Sequence, residues 1–241
     1  LTATALLMLA ALLASTAGLF LDTRIITGVP AWLKPAKFAI STAIFAATVA
    51  WLFRYIDVWP RFVKALGWIL SISLVMEVTI IDIQAARGTT SHFNVSTPVN
   101  SALFAAMGIF ILFLWLSSIG ILAALLRQKF SDPAFGWALR LGMLISVLGS
   151  GSGGLMLRPA PAQVSASTVH VRTVGAHTIG APDGGEGLPG VGWSASRGDL
   201  RIPHFFGLHG IQLVPLLWWL TTRHRPYNLR QRVQMAALTG I

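Results

Sequence analysis

Long apolar segments separated by short polar stretches constrain the fold of this chain more than any other feature. Prolines stand just before six apolar or amphipathic stretches, and proline suits the first helical turn because its missing N–H has no intrahelical partner there. These residues are Pro35, Pro60, Pro98, Pro133, Pro203 and Pro226. Soluble domains carry about 25% charged residues, whereas this chain has 11% charged and 54% apolar residues. The pattern predicts an all-α, polytopic transmembrane helical bundle.

We predict six to seven membrane spans within one transmembrane domain that covers residues 1–241. The first six are expected at residues 2–20, 36–53, 62–86, 98–126, 133–157 and 203–222. A cleaved signal peptide is the alternative for the first, but no basic n-region precedes it. A seventh helix near Pro226 is either a truncated span or an interfacial helix, because its first turns are polar. Since the chain begins at Leu1 and stops at Ile241 within an apolar run, we expect that one or both native ends are missing.

The distribution of basic residues predicts the orientation of these spans in a bacterial cytoplasmic membrane. The second, fourth and sixth loops together hold ten Lys and Arg against two acidic residues. Short loops rich in Lys and Arg stay in the cytoplasm, which also places the N-terminus there. The net charge of +10 therefore reflects membrane orientation, and no nucleic-acid partner is expected. Residues 158–202 form a long Gly/Pro-rich extracytoplasmic loop, which we expect to fold only against the helix ends.

Ionisable side chains collect near the predicted outer ends of the helices. Glu77 lies 17 residues beyond Pro60, so roughly 25 Å along the helix axis and in the outer half of the bilayer. The side chains expected to converge there are Lys37, Glu77, Asp82, His92, His204 and His209. A charge within a span is costly and indicates function by default. The structural alternatives are a buried ion pair between Glu77 and Lys37, and a solvated pair between Asp82 and Arg87.

His204 and His209 are the most suggestive pair, although they do not face one ligand together. A spacing of five residues turns about 140° around a helix, so a partner must come from elsewhere, and His92 is the candidate. Imidazole binds both metal ions and haem iron. The first hypothesis is therefore an outer-leaflet haem b or metal ion used in electron transfer. His209, His204 and His92 would bind the cofactor, with Arg201 and Lys37 near haem propionates, whereas His209, His92 and Glu77 would hold a metal.

Two other functional classes remain open. The second hypothesis is a non-catalytic accessory subunit of a membrane complex or a small solute or proton transporter, with Glu77 as the proton-carrying group. The third is a membrane hydrolase that uses a His-bound water, with Glu77 or Asp82 as the base. The expected partners are the lipid bilayer and either other membrane proteins or further copies of the chain. The absence of cysteine excludes disulfides, iron–sulfur clusters and cysteine nucleophiles.

A run of small residues, Gly149-Ser150-Gly151-Ser152-Gly153-Gly154, closes the fifth predicted helix. Small residues allow two helices to approach closely, which is the interpretation we favour. A planar ligand against the backbone is the alternative, and a dinucleotide motif is excluded because no strand precedes the run. Pro215 predicts a kink in the sixth span, beneath His209.

Three stretches resemble a family of uncharacterised bacterial multi-pass membrane proteins. One is residues 198–212, with the pattern GDLR-x-x-HF-x-GLH-x-x-Q. The others are residues 32–38, Trp-Leu-Lys-Pro-Ala-Lys-Phe, and residues 84–94, which contain Arg87 and Ser91-His92-Phe93-Asn94. The resemblance covers most of the chain and implies that these stretches belong to one architecture. It implies no activity.

Overall fold

The computed structural model describes residues 1–159, 163, 172–181, 183 and 185–223, and α-helices dominate this part. The helices are α1 (Thr2–Leu21), α2 (Leu33–Leu52), α3 (Pro60–Ala86), α4 (Pro98–Arg127), α5 (Pro133–Ser152), α6 (Arg201–Leu208) and α7 (Gly210–Thr222). Short 3-10 turns follow α2 at Phe53–Tyr55 and α5 at Gly153–Leu157. The prediction of an all-α bundle is confirmed. The predicted helix near Pro226 lies outside the described residues.

Prolines and side-chain caps set the starts of the central helices as the sequence predicts. α3, α4 and α5 begin at Pro60, Pro98 and Pro133. The Thr97 hydroxyl accepts a hydrogen bond from the Asn100 amide, and the Asp132 carboxylate accepts from the two amides at the start of α5. Such caps satisfy amide groups that have no partner within the helix.

Five helical segments of the described chain are long and apolar enough to cross a membrane, as judged by length and composition. The segments are Thr2–Leu21, Leu33–Tyr55, Pro60–Ala86, Pro98–Arg127 and Pro133–Leu157. The predicted sixth span is divided into α6 and α7. This interruption falls at His209, whereas α7 continues through Pro215.

The helices pack as neighbouring pairs around an apolar core. α1 lies along α2, α3 along α4, and α5 along both α6 and α7. Buried residues of the largest core cluster include Leu70, Ile121, Leu139 and Ile211. Many large apolar side chains instead point outward, such as Trp68, which is 64% exposed. This outward apolar surface is typical of helices that are surrounded by lipid.

Helices α1 to α5 alternate in direction, and α6 and α7 together run opposite to α5, so the connections fall alternately at two ends of the bundle. We call one of them the hairpin end; it holds the β1–β2 hairpin, residues 87–97 and the described residues between 153 and 200. Strands β1 (Ile25–Ile26) and β2 (Val29–Pro30) pair antiparallel, and so do β3 (Thr178–Ile179) and β4 (Gly198–Asp199). The hairpin end carries the residues discussed next.

Glycine residues allow the backbone of α5 to come into direct contact with the backbones of α6 and α7. A Cβ atom built on Gly149 would lie 2.4 Å from the Gly207 Cα, and one on Gly142 would lie 2.9 Å from the Gly210 carbonyl oxygen. Real Cβ atoms do not approach backbone atoms so closely, so this crossing requires glycine. For Gly149, the close-packing interpretation of the small-residue run is confirmed.

Candidate functional site at the hairpin end

Glu77 is a buried carboxyl group in the second half of α3. It is only 5% exposed, and neither of its oxygens has a hydrogen-bond partner among the residues that the structure describes. Its nearest ionisable neighbour is His92, whose Nε2 lies 3.4 Å from Glu77 Oε1. A buried carboxyl group without hydrogen bonds is costly, because burial removes water that would otherwise solvate it. Glu77 is therefore the least satisfied acid of this region.

The turn between α3 and α4 holds His92 in place through side-chain hydrogen bonds. Asn94 Nδ2 donates to Thr89 Oγ1 and to the Thr90 carbonyl, while Gln84 Nε2 donates to Asn100 Oδ1 and also to the Thr90 carbonyl. These bonds explain why polar side chains occur in so apolar a chain: they satisfy buried backbone groups of an irregular turn.

His92 links two ionisable side chains through its two ring nitrogens. Lys34 Nζ and Ser91 Oγ both lie 3.0 Å from His92 Nδ1. An ammonium group can only donate, so Nδ1 accepts and the ring hydrogen lies on Nε2, which faces Glu77. The Lys34 ammonium, the imidazole and the Glu77 carboxyl therefore follow one another in space, with a hydrogen bond at the first step and a 3.4 Å approach without a hydrogen bond at the second. We call Lys34, His92 and Glu77 the relay cluster.

The surroundings of His92 keep the imidazole neutral. Burial lowers its pKa well below the ordinary value, and the positive charge of Lys34 and the nearby His177 and His204 lower this pKa further. The ring is therefore neutral in the folded protein, with one nitrogen that accepts a hydrogen bond and one that carries a hydrogen.

Lys34, not Lys37, is the cation linked to Glu77, so the ion pair considered in the sequence involves the wrong lysine. Lys37 is exposed, and its Nζ donates to the carbonyl of Gly190. Lys34 lies one helical turn before Phe38 and over its ring, and that ring also packs against His92. Sequence reasoning missed Lys34 and Ser91; the four-residue spacing of Lys34 and Phe38 was the available signal.

Asp82 and Arg87 do not form the predicted solvated pair. Arg87 Nη1 instead donates to Gln84 Oε1, at 2.6 Å. Asp82 Oδ1 is buried and has no hydrogen-bond partner in the described part of the chain. Asp82 is thus a second unsatisfied acid on α3, five residues beyond Glu77 and on a different side of the helix.

The long loop lies over the turn that carries His92. Val174 N donates to the Phe93 carbonyl, Val95 N donates to the Arg172 carbonyl, and the ring of Phe93 contacts that of His177. The expectation that this loop folds against the helix ends is met by its described residues. Of the predicted turn at residues 182–185, Pro182 and Gly184 lie outside them, while the Asp183 carboxylate accepts from the His177 and Thr178 amides.

Arg201 stabilises the loop. Its guanidinium bonds both carboxylate oxygens of Asp199, at 3.0 and 2.6 Å, and donates to the Gly192 carbonyl. To bind a haem propionate as predicted, the Arg201 guanidinium would have to give up some of these three hydrogen bonds.

We expect the loop to come away from the helices as the pH falls from about 4 to about 2. Burial would by itself raise the pKa of Asp199, but hydrogen bonds from Arg201 and the Ser194 amide outweigh it and lower this pKa from 3.8 to about 2. A lowered folded-state pKa gives stability above the unfolded value that is lost on acidification. Tryptophan fluorescence of Trp193 in a variant that lacks the other tryptophans measures the transition. In Asp199→Asn the acid-dependent step should vanish; an unchanged step would contradict this role of Asp199.

His204 and His209 face different surroundings, as their spacing predicts. His204 Nδ1 lies 2.8 Å from the Gly149 carbonyl, so this nitrogen carries the hydrogen and Nε2 keeps its lone pair. The His209 ring packs on Phe205, with centroids 4.5 Å apart. Within the described residues, no hydrogen bond or ion pair joins either histidine to Glu77 or His92. No group of three or more His, Asp or Glu side chains in that part is arranged to hold a metal ion.

Comparisons with known proteins assign neither a family nor a function to this chain. No protein-family model matches the chain. Neither the curated proteins nor the solved structures gave a match.

Proposed function

We propose that this chain is an integral protein of the bacterial cytoplasmic membrane and that its relay cluster binds and passes protons in a small proton-coupled transporter. The observation that carries the proposal is the chain of contacts from Lys34 Nζ through the His92 ring to the buried carboxyl of Glu77. Ionisable residues inside transmembrane segments are rare, and chains of Asp, Glu and His there typically serve as proton relays.

The arrangement of basic residues supports the orientation. Connections at the end opposite the hairpin contain Arg54, Arg61, Arg127 and Lys129, and such short basic connections remain in the cytoplasm. The hairpin end then faces the periplasm, and the relay cluster lies in the outer half of the membrane. In this proposal the five apolar helical segments each cross the membrane, and α6 and α7 together form a sixth span.

The chemistry of the cluster fits reversible proton exchange. The carboxyl of Glu77 has no hydrogen bond that would hold it in one protonation state, in the part of the chain that the structure describes. Lys34 favours the ionised form by its charge, whereas burial favours the neutral form. Opposing effects of this kind allow a carboxyl group to gain and lose a proton, and the His92 ring provides the path to it.

The test is proton flux in liposomes that contain the purified protein and a trapped pH-sensitive dye. We expect an imposed pH gradient to drive flux through the wild-type protein, and Glu77→Gln to reduce it to the level of protein-free liposomes. Glu186→Gln makes the same chemical change at an exposed site and should leave the flux unchanged. Equal flux in wild type and Glu77→Gln would remove the proposal.

A haem b or metal site for electron transfer is the second candidate, and one observation favours it. The bond from His204 Nδ1 to the Gly149 carbonyl fixes the tautomer and orients the ring, as commonly seen for histidines that bind metals through Nε2. A Soret band or stoichiometric metal in the purified protein, lost in His204→Ala, would support this candidate. His92 is the weaker ligand because Lys34, Ser91 and Glu77 already occupy both of its nitrogens.

A further inference from the structure

A small cavity lies directly beside the relay cluster, at the hairpin end. It has a volume of about 100 Å³ and is bordered by the β1–β2 hairpin, by Lys34 and by the turn after α3. Several water molecules or a ligand of a few heavy atoms would fit such a volume. The proposed proton function does not by itself use this cavity.

The lining of the cavity contains residues of two chemical kinds. Lys34 and the hydroxyl-bearing residues Thr27, Thr89, Thr90 and Ser91 are polar, whereas Ile81, Ala85 and the remaining residues of the hairpin are apolar. Among the residues that the structure describes, no carboxylate lines the cavity. Ammonium and hydroxyl donors favour an anion, while the apolar lining residues favour an attached alkyl group.

Lys34 has hydrogen-bonding capacity left for a ligand. An ammonium group carries three N–H donors, and in the described part of the chain Lys34 makes one hydrogen bond, to His92. An anion in the cavity would therefore contact the same ammonium that contacts the imidazole. Such a ligand would therefore contact the relay cluster directly, through Lys34.

The hairpin at this cavity is strained at a residue that lines it. Thr27 and Gly28 form its two-residue turn with φ values of 50° and 81°. Glycine and asparagine suit such left-handed positions, whereas a β-branched threonine does not. Backbone strain of this kind clusters at ligand-binding sites, and here the strained residue is one that brings a hydroxyl group to the cavity.

We propose that this cavity binds a small monocarboxylate such as acetate or propionate, and that the relay cluster binds a proton together with it. This inference rests on the proposed function and identifies the class of molecule that is transported with the proton. With Lys34 charged and Glu77 ionised the cluster is neutral, so a carboxylate anion adds one negative charge that a proton on Glu77 cancels. Binding of the anion and uptake of the proton therefore promote each other.

The test is calorimetric titration of the detergent-purified full chain with sodium acetate and propionate. Binding is the chosen readout because the protonated acids cross bilayers unaided. We expect saturable binding that Lys34→Gln weakens by at least about tenfold, since one charge-assisted hydrogen bond is lost. Lys64→Gln, at an exposed lysine, should bind as wild type does. A monodisperse elution profile and an unchanged circular dichroism spectrum establish that each variant is folded.

A second variant tests the binding site independently, in case Lys34→Gln does not fold. Thr27→Gly relieves the strained turn and removes a hydroxyl group, so it should raise the thermal midpoint while weakening acetate binding. A purely structural role would change stability without this opposite change in affinity. In weakly buffered solution, about one proton should be taken up per carboxylate bound, and Glu77→Gln should abolish the uptake.

The outcomes separate this inference from the proton function. Absent or unsaturable binding overturns the carboxylate site, as does equal affinity for chloride or phosphate, even if Glu77-dependent proton flux persists. Carboxylate binding without proton uptake and without flux would retain the cavity as a binding site and remove the proposed coupled transport.

Discussion

Replacing Gly149 by alanine should lower the free energy of unfolding by about 2–3 kcal/mol, the range for overpacking a close contact. The added methyl group would lie 2.4 Å from the Gly207 Cα and 2.6 Å from its carbonyl carbon. Backbone atoms cannot rotate away as a side chain can, so α5 and α6 must separate. Denaturant unfolding in detergent, followed by tryptophan fluorescence, measures the loss.

Gly154→Ala is the matched control for this substitution. Gly154 lies in the same small-residue run, but a Cβ atom there meets nothing within 4 Å. Alanine is also the better helix former, so the control should be neutral or slightly stabilising. If both variants unfolded alike, general helix propensity rather than the α5–α6 contact would explain the glycine run.

The contact between α5 and α6 also positions His204. We therefore expect Gly149→Ala to disturb the structure at the hairpin end as well. The Gly149 carbonyl accepts from His204 Nδ1, and separation of the helices would break that bond. A Cβ atom built on Gly153 would lie 2.8 Å from the His204 ring. A larger side chain at position 153 would therefore clash with this ring. The small residues therefore fix one candidate ligand while allowing the helices to meet.

Helix positions were predictable because their signals are local. The prolines at the starts of α3, α4 and α5, and the caps at Thr97 and Asp132, act on groups within the same turn. Apolar length likewise identifies segments able to cross a membrane without knowledge of their neighbours. The position of Glu77 along α3 followed from the constant rise of a helix.

The partners within the site were less predictable because they depend on how separate helices are rotated against each other. Lys34 and Lys37 are three residues apart on α2, yet one contacts His92 and the other reaches Gly190. His92 lies in an irregular turn. Hydrogen bonds of Asn94 and Gln84 set the path of this turn, so the periodicity of a helix does not predict it. The predicted convergence is therefore seen for Glu77 with His92, whereas His209 packs on Phe205.

The relay cluster also predicts a large and non-additive effect on stability. Lys34→Met should destabilise the protein by about 3–5 kcal/mol, because removal of one partner leaves the other charge buried without compensation. Ser91 would still donate to His92 Nδ1, so the turn itself keeps a hydrogen bond. Glu77 would keep its buried position without the cation that offsets its charge.

Adding Glu77→Leu to Lys34→Met should restore most of the lost stability, since replacing both opposite charges by apolar groups leaves neither charge buried without the other. Denaturant unfolding of wild type, both single variants and the double variant gives the coupling, expected at about 2–3 kcal/mol. The stable double variant should nevertheless carry no proton flux in liposomes, because the proton-binding groups are gone. Additive effects of the two substitutions would show that Lys34 and Glu77 do not interact, and the relay through His92 would lose its physical basis.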